Sequence, residues 1–340
     1  SAAVRLPPDL GARLVQGYIR PATQQFADAG RAMVDALKRY CDSPDGANTR
    51  SIKQGFDDLA RAWARVEFLR FGPLVEGNRF ERVFFWPDPR GVVLRRTQAA
   101  IAKRDPKLLD AEALRADSVA VQGLPSLEYA LFGGDDALIA DSGKPGAAAD
   151  AEATAYRCAY AASVAGNLAN LGTEIADAWG PEGEMAQRFT HPAADNPLYR
   201  DNGEVAAEAV KAMSGGLQYI RDAKLLPALG ASPDTSRPSR APLWRSDATL
   251  DVLAAGVAGI GEFYAAADLA EAFEPRNRWL AAVVPTGGKR IAGEFTGIDV
   301  PFETAVAQAA TRSELVNVAL ELHNLKEMID GPIASALGVS

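Results

Sequence analysis

Two short segments hold most of the side chains in this chain that could do chemistry. In the first, Gly72–Gly91 (GPLVEGNRFERVFFWPDPRG), Arg79, Arg82 and Arg90 alternate with aromatic residues around a Trp86-Pro87-Asp88-Pro89 turn. In the second, Gln122–Gly133 (QGLPSLEYALFG), Gly123, Pro125 and Glu128 open a short apolar helix. Pro125 suits the first turn of a helix, where its missing N–H leaves no bond unmade. Glu128 falls three residues later, on the same face, while Leu124, Leu127 and Leu131 anchor the helix to a core. A carboxylate near a bundle interior needs a compensating charge or several donors, because desolvating it alone is costly. Arg79, Arg82 and Arg90 are the expected suppliers, and the three-residue spacing of Arg79 and Arg82 lets one helical turn aim both guanidiniums the same way. Asp88, held between prolines, is expected to cap a helix or orient an arginine. Phe85 and Trp86 offer flat faces for stacking an arginine or a ligand. The candidate ligand-binding set is therefore Arg79, Arg82, Trp86, Asp88, Arg90, Gln122, Gly123 and Glu128, with no catalytic residue assigned. The competing reading is a ligand-free network that fastens a loop to a helical bundle.

What is missing narrows the chemistry further. There are two histidines and two cysteines, with no His-Glu-x-x-His helix, no phosphate-binding glycine loop and no Gly-x-Ser-x-Gly elbow. His191 lies in a loop, and His323 sits one step off the apolar line of the last helix, where a packing role is expected. Cys41 and Cys158 lack metal-site spacing. One long-range disulfide and two separate buried thiols both remain open.

The net charge of −8 argues against a nucleic-acid partner, which would require a basic face. Between Arg61 and Arg104, however, ten basic residues stand against four acidic ones. Such a local excess in an acidic chain points to a small anion, or to internal pairing with Glu67, Glu76, Glu81 and Asp88. No apolar run approaches the ~18–20 residues of a membrane span.

The elements that must position these residues read as helices almost throughout. Apolar positions recur at helical spacing over Pro8–Tyr40, with a kink expected at Pro21, and over about Ala47–Phe71, where Gly72-Pro73 ends the pattern. Further helices are expected after Gly91 to about Lys103, over Asp110–Asp117, Leu124–Phe132, Ala151–Trp179, Glu204–Leu226, Leu250–Leu269 and Pro301–Ile329. Gly133–Asp150 and Ser232–Pro242 read as loops. Only Val83–Trp86 and Leu280–Pro285 offer short strand candidates. The fold class is thus all-α, divided into helical-bundle halves at 1–145 and 146–340. A weak internal echo supports two related halves. Each carries an irregular aromatic turn leading into a helix, Phe85-Trp86-Pro87-Asp88 in the first and Leu243-Trp244-Arg245-Ser246 in the second. A ligand groove is expected between them.

In the order of these features, and in Gly123-x-Pro125-x-x-Glu128 and the closing Leu337-Gly338-Val339, the chain resembles the imelysin family, also catalogued as a peptidase family. That family carries Gly-x-His-x-x-Glu, and here Pro125 stands at the histidine position. Where His and Glu lie at i and i+3 they could share a metal ion; proline has no lone pair to offer. The resemblance implies a two-part helical protein of the bacterial envelope, periplasmic or associated with the outer membrane, and linked to iron uptake. It implies iron or zinc as a metal, which the Pro125 position does not support. The expected function is binding of a metal chelate, a small anionic ligand or an envelope protein partner in the groove. The alternatives are a metallopeptidase that draws on Glu128 and ligands such as His191, and a structural or interaction module.

Overall fold

The computed structural model describes residues 5–140 and 151–339. Among these the chain is helical with no β-strand, as expected. The first run is continuous but irregular: Leu10–Leu14 is α-helical, Val15–Ile19 is a wider π turn, and α1 spans Arg20–Asp42. The disturbance sits one turn before Pro21. Proline cannot donate to the carbonyl of Gly17, and the wider turn forms there.

Helix α2, Gly46–Ala64, starts at Asp45, whose carboxylate accepts from Asn48 N–H at 2.8 Å. It ends well before the expected Phe71. Val66, Glu67, Phe68, Leu69 and Phe71 are all buried, and side chains so nearly consecutive cannot share one face of a helix. The chain turns instead through bonds such as Leu69 N–H to Val66 O at 3.0 Å. Helices α3 (Val92–Lys103), α4 (Leu124–Phe132) and α5 (Ala151–Ala178) lie close to their expected bounds. The connector between α4 and α5 falls in part, residues 141–150, outside the described residues.

Next come α6 (Asn202–Tyr219) and, after further turns, α7 (Thr249–Ala266). A helix missed by the sequence, Glu184–Thr190, precedes them and is closed by His191. The strand expected at Leu280–Pro285 is instead the start of α8, Leu280–Thr296. Its β-branched residues suggest a strand and Pro285 disfavours a helix interior, but Leu280, Val284, Ile291 and Phe295 fall on one helical face and are buried. Tertiary burial overrides propensity here. The last helix is broken at Gln308 into Phe302–Ala307 and α9, Ala309–Met328.

Two packing groups result. Helix α5 lies along α1, which also packs on α2, and α4 sits against α5. The approach of α1 to α5 is close because small residues meet: a Cβ on Gly30 would stand 2.9 Å from Ala169 Cα, and one on Gly172 2.9 Å from Ala27 Cα. Cys41, at the end of α1, is disulfide-bonded to Cys158 near the start of α5, with Cα atoms 5.9 Å apart. In the second group α7 packs on α8, α8 on α9 and α9 on α6, while α7 also meets α2. The 145/146 division read from the sequence falls in the connector before α5; in space, α5 lies against α1. By length and composition α7 alone among the described helices could cross a membrane, and most of it is buried inside the fold.

Candidate functional site

Across the junction of these groups, the two aromatic turns that echo one another in sequence line a single cavity of about 620 Å³. Phe84, Phe85, Trp86 and Pro87 contribute from one turn, Leu243, Trp244 and Arg245 from the other. Pro125, Glu128 and Tyr129 of α4 complete it, with Asp222 and Arg240 also present. A volume of this order suits a small organic molecule.

Glu128 is 3% exposed. Its Oε2 accepts from the Ser246 backbone N–H at 3.0 Å and from Ser246 Oγ at 2.7 Å. Lys53 Nζ, which pairs with Asp57 at 2.9 Å, donates to the Ser246 carbonyl at 2.8 Å. The other carboxylate oxygen has no hydrogen-bond partner among the described residues. Burial pushes the Glu128 carboxyl above its ordinary range, opposed by the two Ser246 bonds and the charges of Arg245 and Lys53. The turn that presents Ser246 is bracketed by Leu243 (φ 59°) and Asp247 (φ 55°) in the left-handed region, which costs a non-glycine residue about 1–2 kcal/mol. The Arg245 guanidinium lies over the rings of Trp244 (4.6 Å) and Tyr129 (5.5 Å), a stacked cation at the cavity wall.

Trp86 is fixed from both ends. Its Nε1–H donates to the Ala223 carbonyl at 2.7 Å, and its own carbonyl accepts from Tyr219 Oη at 2.9 Å. Ala223 lies in the π segment Ile220–Leu225, whose next residue, Lys224, forms a buried ion pair with Glu67. Asp88 caps α3: its Oδ1 and Oδ2 accept from the N–H groups of Val92 and Val93, each at 2.9 Å.

The expected arginine partners of Glu128 are not there. Arg79 donates from Nε to Glu174 at 2.9 Å and from Nη1 to the Pro73 carbonyl at 3.1 Å. Arg82 donates from Nε to Gln122 Oε1 at 3.1 Å. Arg90 is exposed, and its carbonyl accepts from Arg95. A three-residue spacing aligns Arg79 and Arg82 with each other but does not fix the helix they face. They point to α5 and the Gln122 network. Trp86, Asp88 and Glu128 therefore share the cleft, while Arg79, Arg82, Gln122 and Gly123 stand apart from it. Ser246, Lys53, Trp244, Arg245 and Arg240 were not read as site residues, although the Leu243–Ser246 echo pointed at most of them.

Gln122 and Gly123 join the two signature segments. Gln122, fully buried, donates from Nε2 to the carbonyls of Leu114, Arg115 and Asp117 and accepts from Asn167. At Gly123 a Cβ would lie 2.6 Å from the Val83 carbonyl oxygen and 2.9 Å from that of Arg82. Both obstacles are backbone. Gly123→Ala is thus expected to destabilise the protein by about 1–3 kcal/mol, read as a lower urea midpoint with an unchanged slope; a midpoint equal to wild type would refute the close approach.

A metal of the kind the resemblance implies does not fit these side chains. Pro125 lines the cavity without a donor atom, both oxygens of Asp88 are spent on backbone N–H groups, and Glu128 faces Ser246 and Arg245. Among the described residues no three His, Cys, Asp or Glu side chains cluster suitably. His191 is exposed and its Nδ1 contacts Thr190 Oγ1 and the Gln187 carbonyl of its own helix; it does not line the cleft.

The family model for imelysin matches residues 15–329. Among solved structures, the chain is similar to an imelysin-like protein from Psychrobacter arcticum 273-4, with a TM-score of 0.77, 18% identity and complete coverage of both chains. It is also similar to a "putative iron-regulated protein A precursor" from Parabacteroides distasonis ATCC 8503, with a TM-score of 0.74, 12% identity and coverage of 96% of this chain and 95% of that one. No curated protein matches the chain.

Proposed function

The chain belongs to the imelysin family, and from that premise we propose that it is a non-enzymatic binding protein of the bacterial envelope, serving iron uptake. Its ligand is a flat metal chelate or small anionic organic molecule held between the Trp86 and Trp244 turns. The ligand gives an N–H or O–H to the open oxygen of Glu128, rests on the aromatic walls and sets its negative group against Arg245 and Arg240. One observation carries this reading: a nearly fully buried glutamate, half satisfied by Ser246, lines the base of a cavity large enough for a small molecule. A purely structural network would leave no such space. The Cys41–Cys158 disulfide supports an oxidising compartment such as the periplasm. The iron association draws on the name of the Parabacteroides neighbour, which also calls that protein a precursor.

Calorimetric titration with ferric citrate and with ferric catecholate tests the proposal. Wild-type protein is expected to bind at least one of them, and Glu128→Ala and Arg245→Ala each to weaken binding by about 10- to 100-fold, the worth of a charged hydrogen bond. Arg79→Ala is expected to bind as wild type does. Equal affinities across the two cleft variants and wild type would sink the reading.

A further inference from the structure

The arginines that the cleft does not use build a second pocket. It has a volume of about 360 Å³ and is lined by Asn78, Arg82, Glu112, Arg115, Asp117 and Gln122, among others, sharing no residue with the cleft. Two guanidiniums, those of Arg79 and Arg115, converge beside it on one carboxylate, Glu174 of α5. Glu174 Oε2 accepts from Arg79 Nε at 2.9 Å and Oε1 from Arg115 Nη1 at 2.5 Å, so both oxygens are committed. The two arginines hold the Glu174 carboxyl below its ordinary range against the opposing effect of its partial burial.

Arg82 is the cation left over. It is 8% exposed, yet its hydrogen bonds go only to neutral acceptors: Gln122 Oε1 at 3.1 Å and the Gly77 carbonyl at 3.4 Å. Its Nη2 is buried with no partner. Gln122 cannot turn to help, because its amide nitrogen is engaged by three carbonyls and its oxygen is shared with Asn167. A guanidinium withdrawn from water normally faces an anion. Here burial, then the like charges of Arg115 and Arg79, push its pKa down, with Glu174 opposing them. Arg115, its side chain 44% exposed, lines the same pocket while its Nη1 holds Glu174.

We propose that this pocket binds one small oxyanion, a phosphate or the carboxylate of a small organic acid, bridged between Arg82 and Arg115. The planar, multi-donor guanidinium suits both anions. Glu112 and Asp117 at the rim repel a second negative group, so polyanions are excluded. Titrations of phosphate, acetate and citrate at ionic strength matched with sodium chloride test it, with binding read by calorimetry and by the shift in unfolding temperature. Phosphate or acetate binds with one site per chain, and whichever is tighter names the source; citrate binds more weakly than either. Arg115→Ala weakens binding by about tenfold or more, while Trp244→Ala in the cleft leaves it unchanged. Arg82→Gln abolishes binding, and because that variant could disturb the Gln122 network, the exposed Arg115 variant is the decisive one. No response beyond matched chloride, undiminished binding by Arg115→Ala, or preference for citrate overturns the proposal.

Discussion

Replacing Cys41 and Cys158 with serine lowers the free energy of unfolding by about 4 kcal/mol, the loss expected when a cross-link closing a loop of over a hundred residues is removed. The bond spans a sequence separation of 117 and ties the end of α1 to the start of α5. Leu37, Tyr40, Tyr156 and Tyr160 are buried around that end, while the small-residue approach of Gly30 and Gly172 lies farther along the pair. In the unfolded chain the link forbids many conformations, and its removal restores them. Denaturant unfolding of the double-serine variant against oxidised wild type is the measurement. A shift in midpoint below about 1 kcal/mol equivalent would mean that the helix pair is held by packing alone.

The second large effect concerns Glu128 and pH. Its carboxyl is held above the ordinary value of 4.5, chiefly by burial. A folded-state pKa above the unfolded one means that the native protein binds the proton more tightly. The stability so gained is complete below about pH 4.5 and disappears as pH rises through the folded value. Glu128→Gln cannot ionise and keeps an oxygen to accept from Ser246. Wild type is therefore expected to lose stability relative to this variant as pH is raised from 4.5 into the neutral range. Glu128→Ala is different: it leaves the Ser246 N–H and hydroxyl buried without their acceptor, a cost of about 1–3 kcal/mol at any pH. Unfolding curves for the three proteins over a pH series decide the matter, and parallel curves for wild type and Glu128→Gln would show that the carboxyl titrates normally.

The architecture was legible wherever local signals agreed. Helix α4 begins at Leu124 and ends at Phe132 as read, because Gly123, Pro125 and Gly133 punctuate an apolar run. Gly91 marks the start of α3 in the same way. The reading failed where the environment of the fold overrides local preference. Leu280–Pro285 looks like a strand until Ile291 and Phe295 extend its buried face, and the residues after Ala64 are too uniformly buried for the helix that their periodicity suggested. Of the residues read as candidates, Trp86, Asp88 and Glu128 line one cavity, whereas the arginines expected beside Glu128 point elsewhere. Residue spacing fixes which way side chains point on one helix, not which distant segment they meet. The serine that holds Glu128 is 118 residues away, reachable only through the tertiary arrangement that the paired aromatic turns foreshadowed.

The clamp on Trp86 governs how a guest would arrive. With its indole and its carbonyl both tied to the Tyr219–Ala223 stretch, and the Lys224–Glu67 pair just behind, that wall is braced from several sides. Little rearrangement remains to be done on capture. For a ligand of the kind proposed above, entry would be governed by collision and by shedding water, and affinity among related guests is expected to vary through residence time rather than arrival rate.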